Sequence, residues 1–229
     1  MNLKLLEVVG FVRFAIKEEF GMKRRELLAG VATMVTLASV PLDVALAAAE
    51  DDLMTPGPLP EKAFGDEKAP VTVVEYLSMT CPHCRNFHTE MWPEIKKQYV
   101  DTGKVRFIFR EFPFDPRSTA AFMLARCVGE DKWYPAVDLL FRQQEKWAAA
   151  QDGRQALQST MAITGMGQKE FESCLTDQAL LDKVSAVANK GKALGVDSTP
   201  TFFINGKKYA GALPVAEFAK IVDPLLPAE

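Results

Sequence analysis

Val71-Thr72-Val73-Val74-Glu75-Tyr76-Leu77-Ser78-Met79-Thr80-Cys81-Pro82-His83-Cys84 runs from a strand into a helix and places two cysteines at the junction. Its first seven residues are dense in β-branched side chains, the composition of a strand. They alternate between two faces, Val71, Val73, Glu75 and Leu77 against Thr72, Val74 and Tyr76. Both faces are largely apolar, as in a central strand covered by helices. Glu75 breaks the pattern, a carboxylate on a face that should be buried. Beyond Thr80 the period changes. Pro82 stands where a first helical residue needs no backbone donor, and Phe87, Met91, Ile95 and Tyr99 recur every four residues to about Val100. Pro93 should kink that helix. Gly103 ends the turn, and Val105 to Arg110 reads as a second strand, completing the β-α-β of a parallel pair.

Outward from this unit, residues 50–70 carry Pro56, Pro58, Pro60 and Pro70 and read as an extended lead-in. Toward the C-terminus, helical signals run from about Ser118 to Gly195. They give helices near Ala120–Cys127, Tyr134–Trp147, Arg154–Ile163 and Gln168–Leu175, then a long one carrying Leu180, Val184, Val187 and Leu194. Strand signals return at Thr201–Ile204 and Lys207–Ala210 around the hairpin turn Asn205-Gly206. A last helix starts at Leu213-Pro214, and Pro224 stops it. The sheet-forming parts, 71–117 and 196–229, each have too few strands to close a core, so 118–195 reads as a helical insertion into one α/β domain.

The Cys81-Pro82-His83-Cys84 tetrad has the spacing and the strand-to-helix setting of a thioredoxin-like redox motif. A helix N-terminus presents free N–H groups and a positive dipole end, which favour a thiolate at Cys81. A thiolate held there attacks disulfides and also leaves readily. Cys84, one turn in, should be the more buried partner. His83 could donate to the Cys81 sulfur and, as imidazolium, stabilise it further. Two structural readings compete, a zinc site using Cys81, Cys84 and His88, which lacks a fourth ligand, and a disulfide without redox function. A c-type haem site is excluded because Arg85, not His, follows the second cysteine. His88 reads as an ordinary polar helix position.

The chain has 229 residues, 48% apolar and 25% charged, with net charge −3 and no basic stripe. Disordered and generic nucleic-acid-binding classes are therefore excluded. Residues 22–49 contain a basic start (Lys23, Arg24, Arg25), an uncharged apolar run Leu27–Val40 and Ala45-Leu46-Ala47, the parts of a cleavable secretory signal. The alternative is a retained membrane anchor, although Pro41 and Asp43 interrupt the run. The twin arginines also leave the export route open between Sec and Tat. Residues 1–21 fit awkwardly before such a signal and read as a mis-annotated extension, or as an amphipathic helix through Leu5, Val9, Val12 and Ile16. Export places all four cysteines, Cys81, Cys84, Cys127 and Cys174, in an oxidising compartment. A Cys127–Cys174 disulfide is then expected, with two buried thiols as the alternative.

Glu75 to Cys84 resembles the active-site strand and helix start of the DsbA family of thioredoxin-fold oxidoreductases. Ser198-Thr199-Pro200-Thr201-Phe202-Phe203-Ile204-Asn205-Gly206 is similar to that family's second signature. The resemblance covers residues 60–225 and implies an α/β thioredoxin fold with an inserted helical domain. It implies a cis Pro200 packed on the cysteine pair, Thr199 offering backbone to an extended substrate, and Glu75 as an acid beneath Cys84. The implied function is a periplasmic thiol:disulfide oxidoreductase, monomeric and without metal or organic cofactor. It would donate the Cys81–Cys84 disulfide to exported proteins and be reoxidised by a DsbB-like membrane oxidase. Thr199 stands where oxidases of the family often have Val and isomerases often have Thr. That keeps an isomerase or reductase, held reduced by a membrane reductant, as the rival within this chemistry. A chaperone-like binding module with a structural CxxC is the rival outside it.

Overall fold

Five strands make one mixed sheet in the order β1-β3-β2-β4-β5: β1 (Lys62–Phe64), β2 (Val71–Leu77), β3 (Val105–Glu111), β4 (Thr201–Ile204) and β5 (Lys207–Ala210). They belong to a computed structural model that describes residues 52–228. The expected signal segment 22–49 and the extension 1–21 lie outside the described residues. β2 and β3 pair in parallel, Val71 with Val105 through Leu77 with Glu111. β4 returns antiparallel on the other side of β2, with Glu75 opposite Phe202. The α/β thioredoxin fold is therefore present, with β2 at the centre of the sheet.

The two faces of β2 feed two cores. Val71, Val73 and Leu77 enter the larger one, with the helices that follow β2 and β3. Val74 and Tyr76 enter the smaller one, with Ile108, Phe112, Ala188 and Phe203. The helix over this second face is α8 (Gln178–Ala193). It lies so close that a Cβ on Gly191 would sit 2.7 Å from Tyr76 Cε1. A division at 195/196 thus does not coincide with the packing, because the last helix of the 118–195 block roofs the sheet.

The lead-in 50–70 also differs from the expectation of a merely extended segment. β1 lies within it and pairs antiparallel with β3, Lys62 with Phe109 and Phe64 with Phe107. Three residues are too short to show alternation, and their partner strand lies some forty residues away.

After β2 comes α1 (Pro82–Asn86), then a π-helical segment Phe87–Met91, α2 (Trp92–Ile95) and a second π segment Lys96–Val100. Pro93 has no N–H to give the carbonyl four residues back. The chain accommodates this with a wide turn, in which Trp92 N–H reaches Phe87 O, five residues back. α3 (Pro116–Cys127) is capped by Asp115, whose carboxylate accepts from the N–H groups of Arg117 and Ser118. The helix expected over Tyr134–Trp147 is two, α4 (Trp133–Arg142) and α5 (Gln144–Trp147). α6 (Gly153–Ala162) and α7 (Gln168–Leu175) precede α8 in the inserted block, and α9 (Val215–Val222) runs into a short 3-10 turn at Asp223–Leu225. At the β4–β5 turn Asn205 and Gly206 have φ of 43° and 79°, the left-handed conformation such a hairpin requires. Asn205 Oδ1 accepts from Thr72 N–H at 2.8 Å, which ties the turn to β2.

Candidate active site

Cys81 is the N-cap of α1, with Pro82 at the first helical position. Both cysteines of the tetrad are free thiols, Cys84 fully buried and Cys81 slightly exposed at 6%. Burial pushes the Cys84 thiol well above its ordinary value, and the neighbouring Cys81 adds to the effect. Cys81 moves the other way, down to about 5. The largest cause is the hydrogen bond from Cys84. Burial opposes it, while the Thr199 side chain and the backbone N–H groups of Cys84 and His83 add to it. One sulfur is thus poised as an anion and the other as its proton-bearing partner.

The Thr199–Pro200 peptide bond is cis. It brings Thr199 O to 3.1 Å from Cys81 Sγ, where it accepts from the thiol. Proline at 200 offers no N–H to compete for the sulfur. The Thr199 hydroxyl is buried and has no hydrogen-bond partner among the described residues, so it is free to turn toward an ionised Cys81.

His83 is exposed. Its contribution at Cys81 is a backbone N–H, in place of the ring donation expected from the sequence. Glu75 is fully buried, as its place on β2 suggested, and burial raises its pKa. Cys127 and Cys174 stand apart from these groups, joined in a disulfide between α3 and α7 with their Cα atoms 6.2 Å apart.

Several residues of the site carried no signal in the sequence. Gln144, at the start of α5, is buried and donates its amide to Met79 O at 2.8 Å and to Cys81 O at 3.0 Å. Ser118 Oγ accepts from Met79 N–H at 2.9 Å, and Ser78 N–H approaches Cys84 Sγ at 3.5 Å. Asp115 also accepts from the Thr80 hydroxyl. The loop Ser78–Thr80 is therefore clamped by the inserted helices, which fixes the N-terminus of α1. His88 is the largest surprise. Expected at an ordinary polar position, it is fully buried, with Nε2 3.3 Å from Glu75 Oε2.

With this geometry in hand, the comparisons with known proteins agree. The family described as thioredoxin matches residues 59–224. Alpha-DsbA1 of Wolbachia pipientis is 32% identical, with a TM-score of 0.69, over 77% of this chain and 95% of that one. A Rickettsia felis protein, called a protein-disulfide oxidoreductase by name alone, is 34% identical over 72% of this chain and 60% of its own length. The chain thus spans about three fifths of the curated relatives it matches. BdbD of Bacillus subtilis, at 22% identity and a TM-score of 0.64 over 72% of this chain and 92% of that one, shares the fold.

Proposed function

The chain belongs to the thioredoxin family and to its DsbA branch, and on that premise we propose that it is a thiol:disulfide oxidoreductase that oxidises exported proteins in the periplasm. The opposite shifts of the two thiols carry this reading. A substrate thiolate attacks Cys81, the Cys81–Cys84 bond breaks, and the electrons of that bond leave on Cys84. A second substrate thiolate then attacks the substrate sulfur of the mixed disulfide. Cys81 departs as a stabilised thiolate, because its value near 5 makes it a good leaving group. A reduced form stabilised in this way makes the disulfide a strong oxidant.

Glu75 supplies the proton that Cys84 takes, and Thr199 offers its backbone to the substrate as an added strand. A DsbB-like membrane oxidase regenerates the disulfide, and the protein acts as a monomer. Thr199 keeps one alternative, an isomerase or reductase, because it stands at the position where isomerases of the family often have Thr.

The test offers the oxidised protein a reduced unfolded substrate and a scrambled one. Rapid oxidation of the first supports the oxidase. Slow oxidation of the first with efficient rescue of the second assigns an isomerase.

A further inference from the structure

Beneath Cys84 lies a polar pair in an apolar cage. Glu75 projects from β2 and His88 from the π segment one turn past Cys84, and both are fully buried. The His88 ring stacks on Phe141 at 4.5 Å with an interplanar angle of 18°, and Phe109 lies 5.2 Å away. Nε2 is 3.3 Å from Glu75 Oε2, within ion-pair reach but without the alignment of a hydrogen bond. Both carboxylate oxygens and both ring nitrogens lack a hydrogen-bond partner among the described residues. Four such atoms in one apolar cage are costly in a folded core. A lone carboxylate there would carry an uncompensated charge next to Cys84, where it opposes ionisation of the sulfur.

Besides Glu75, the titratable groups around His88 are the Cys81–Cys84 pair and the phenol of Tyr134, whose ring is 6.4 Å from the imidazole. Burial holds Tyr134 protonated. Besides the cysteine pair it serves, the group among the described residues placed to share a proton or charge with Glu75 is therefore His88.

We propose that Glu75 and His88 act as one proton-sharing pair that serves Cys84, with His88 the positioning residue that keeps the carboxyl able to release and regain its proton. The proposal rests on the oxidoreductase reading and deepens it. When the substrate thiolate breaks the active-site disulfide, Cys84 leaves with the bond's electrons and takes one proton from the pair. The second substrate thiol loses a proton as it attacks the mixed disulfide, and that proton reloads the pair. Two substrate sulfurs are oxidised, two protein sulfurs are reduced, and no proton remains unassigned. Without His88, giving up the proton would strand a bare carboxylate among aromatic rings.

The test measures disulfide transfer from the oxidised protein to a peptide dithiol across pH for four proteins, the natural one, Glu75→Gln, His88→Phe and the double variant. Phenylalanine keeps a ring against Phe141 and removes only the nitrogens. Each single change is expected to slow transfer by about tenfold or more and to alter its pH profile. The double variant is expected to be no slower than the slower single, because the two residues act as a unit. Losses that multiply in the double variant would overturn the pair. A second measurement does not depend on transfer. The ring ¹⁵N signals of His88, recorded across pH in the natural protein and in Glu75→Gln, should differ because the shared proton is lost with the carboxyl; identical patterns would overturn the proposal. Absence of any transfer by the natural protein would instead count against the oxidoreductase reading, and the ¹⁵N comparison would still decide the pair.

Discussion

This chain holds two pairs of cysteines, and they are built for opposite purposes. Cys127 and Cys174 lie between two helices of the inserted block, and Cys174 Sγ is 3.1 Å from Met123 O. Among the described residues neither sulfur accepts a hydrogen bond from an N–H group. Cys81 and Cys84 are three residues apart at a helix start, where N–H groups from Cys84 and His83 and the Thr199 loop converge on one sulfur. The same bond type is a staple in one place and a reagent in the other. What differs is whether the surroundings stabilise the thiolate released when the bond opens.

The comparison can be broken or sharpened by experiment. Cys81→Ser should abolish disulfide exchange, and Cys84→Ser should accumulate mixed disulfides visible by mass spectrometry. Retained exchange in Cys81→Ser would erase the distinction between the pairs. Replacing both Cys127 and Cys174 by alanine should leave exchange in place while lowering stability to denaturant by up to about 4 kcal/mol, the chain-entropy value for a loop of this size. Gln144→Ala leaves the carbonyls of Met79 and Cys81 without their donor, at a cost of about 1–3 kcal/mol seen in urea unfolding.

The pH dependence of the reduction potential sharpens the chemistry further. Cys81 is depressed, so its stabilisation of the dithiol form is complete above the ordinary thiol range and is lost as pH falls through about 5. The potential should change by about 30 mV per pH unit above that point and about 59 mV below it, since reduction then takes up two protons for two electrons. His83→Ala should have the smallest effect. The exposed ring is removed but the backbone N–H stays, so a thiolate titration should still fall near about 5.

Much of this architecture was legible in the sequence because it is written in local period and turn chemistry. β2, the tetrad, the Asn205-Gly206 hairpin and most helices from Pro116 onward carry their own signal within a few residues. β1 does not, because Lys62-Ala63-Phe64 becomes a strand only by pairing with β3. The break between α4 and α5 was equally hidden. It exists where the chain turns Gln144 inward to the Met79 and Cys81 carbonyls, contacts more than sixty residues distant. His88 looked ordinary for a related reason. It lies one position off the apolar stripe Phe87–Met91–Ile95–Tyr99, on a face that would meet solvent if the inserted helix bearing Phe141 did not cover it. Local patterns reveal elements. They do not reveal what a distant insertion will bury.

The central claim is that the fold makes an anion of one sulfur and not of its neighbour. Thiolate absorbance of the reduced Cys127→Ala/Cys174→Ala variant, titrated from acid to alkaline pH, tests it directly because only Cys81 and Cys84 then contribute. The account predicts a first ionisation near about 5 that disappears in Cys81→Ser, with Cys84 ionising well above the ordinary thiol range. Two thiols ionising together near the free value of about 8.5 would contradict it.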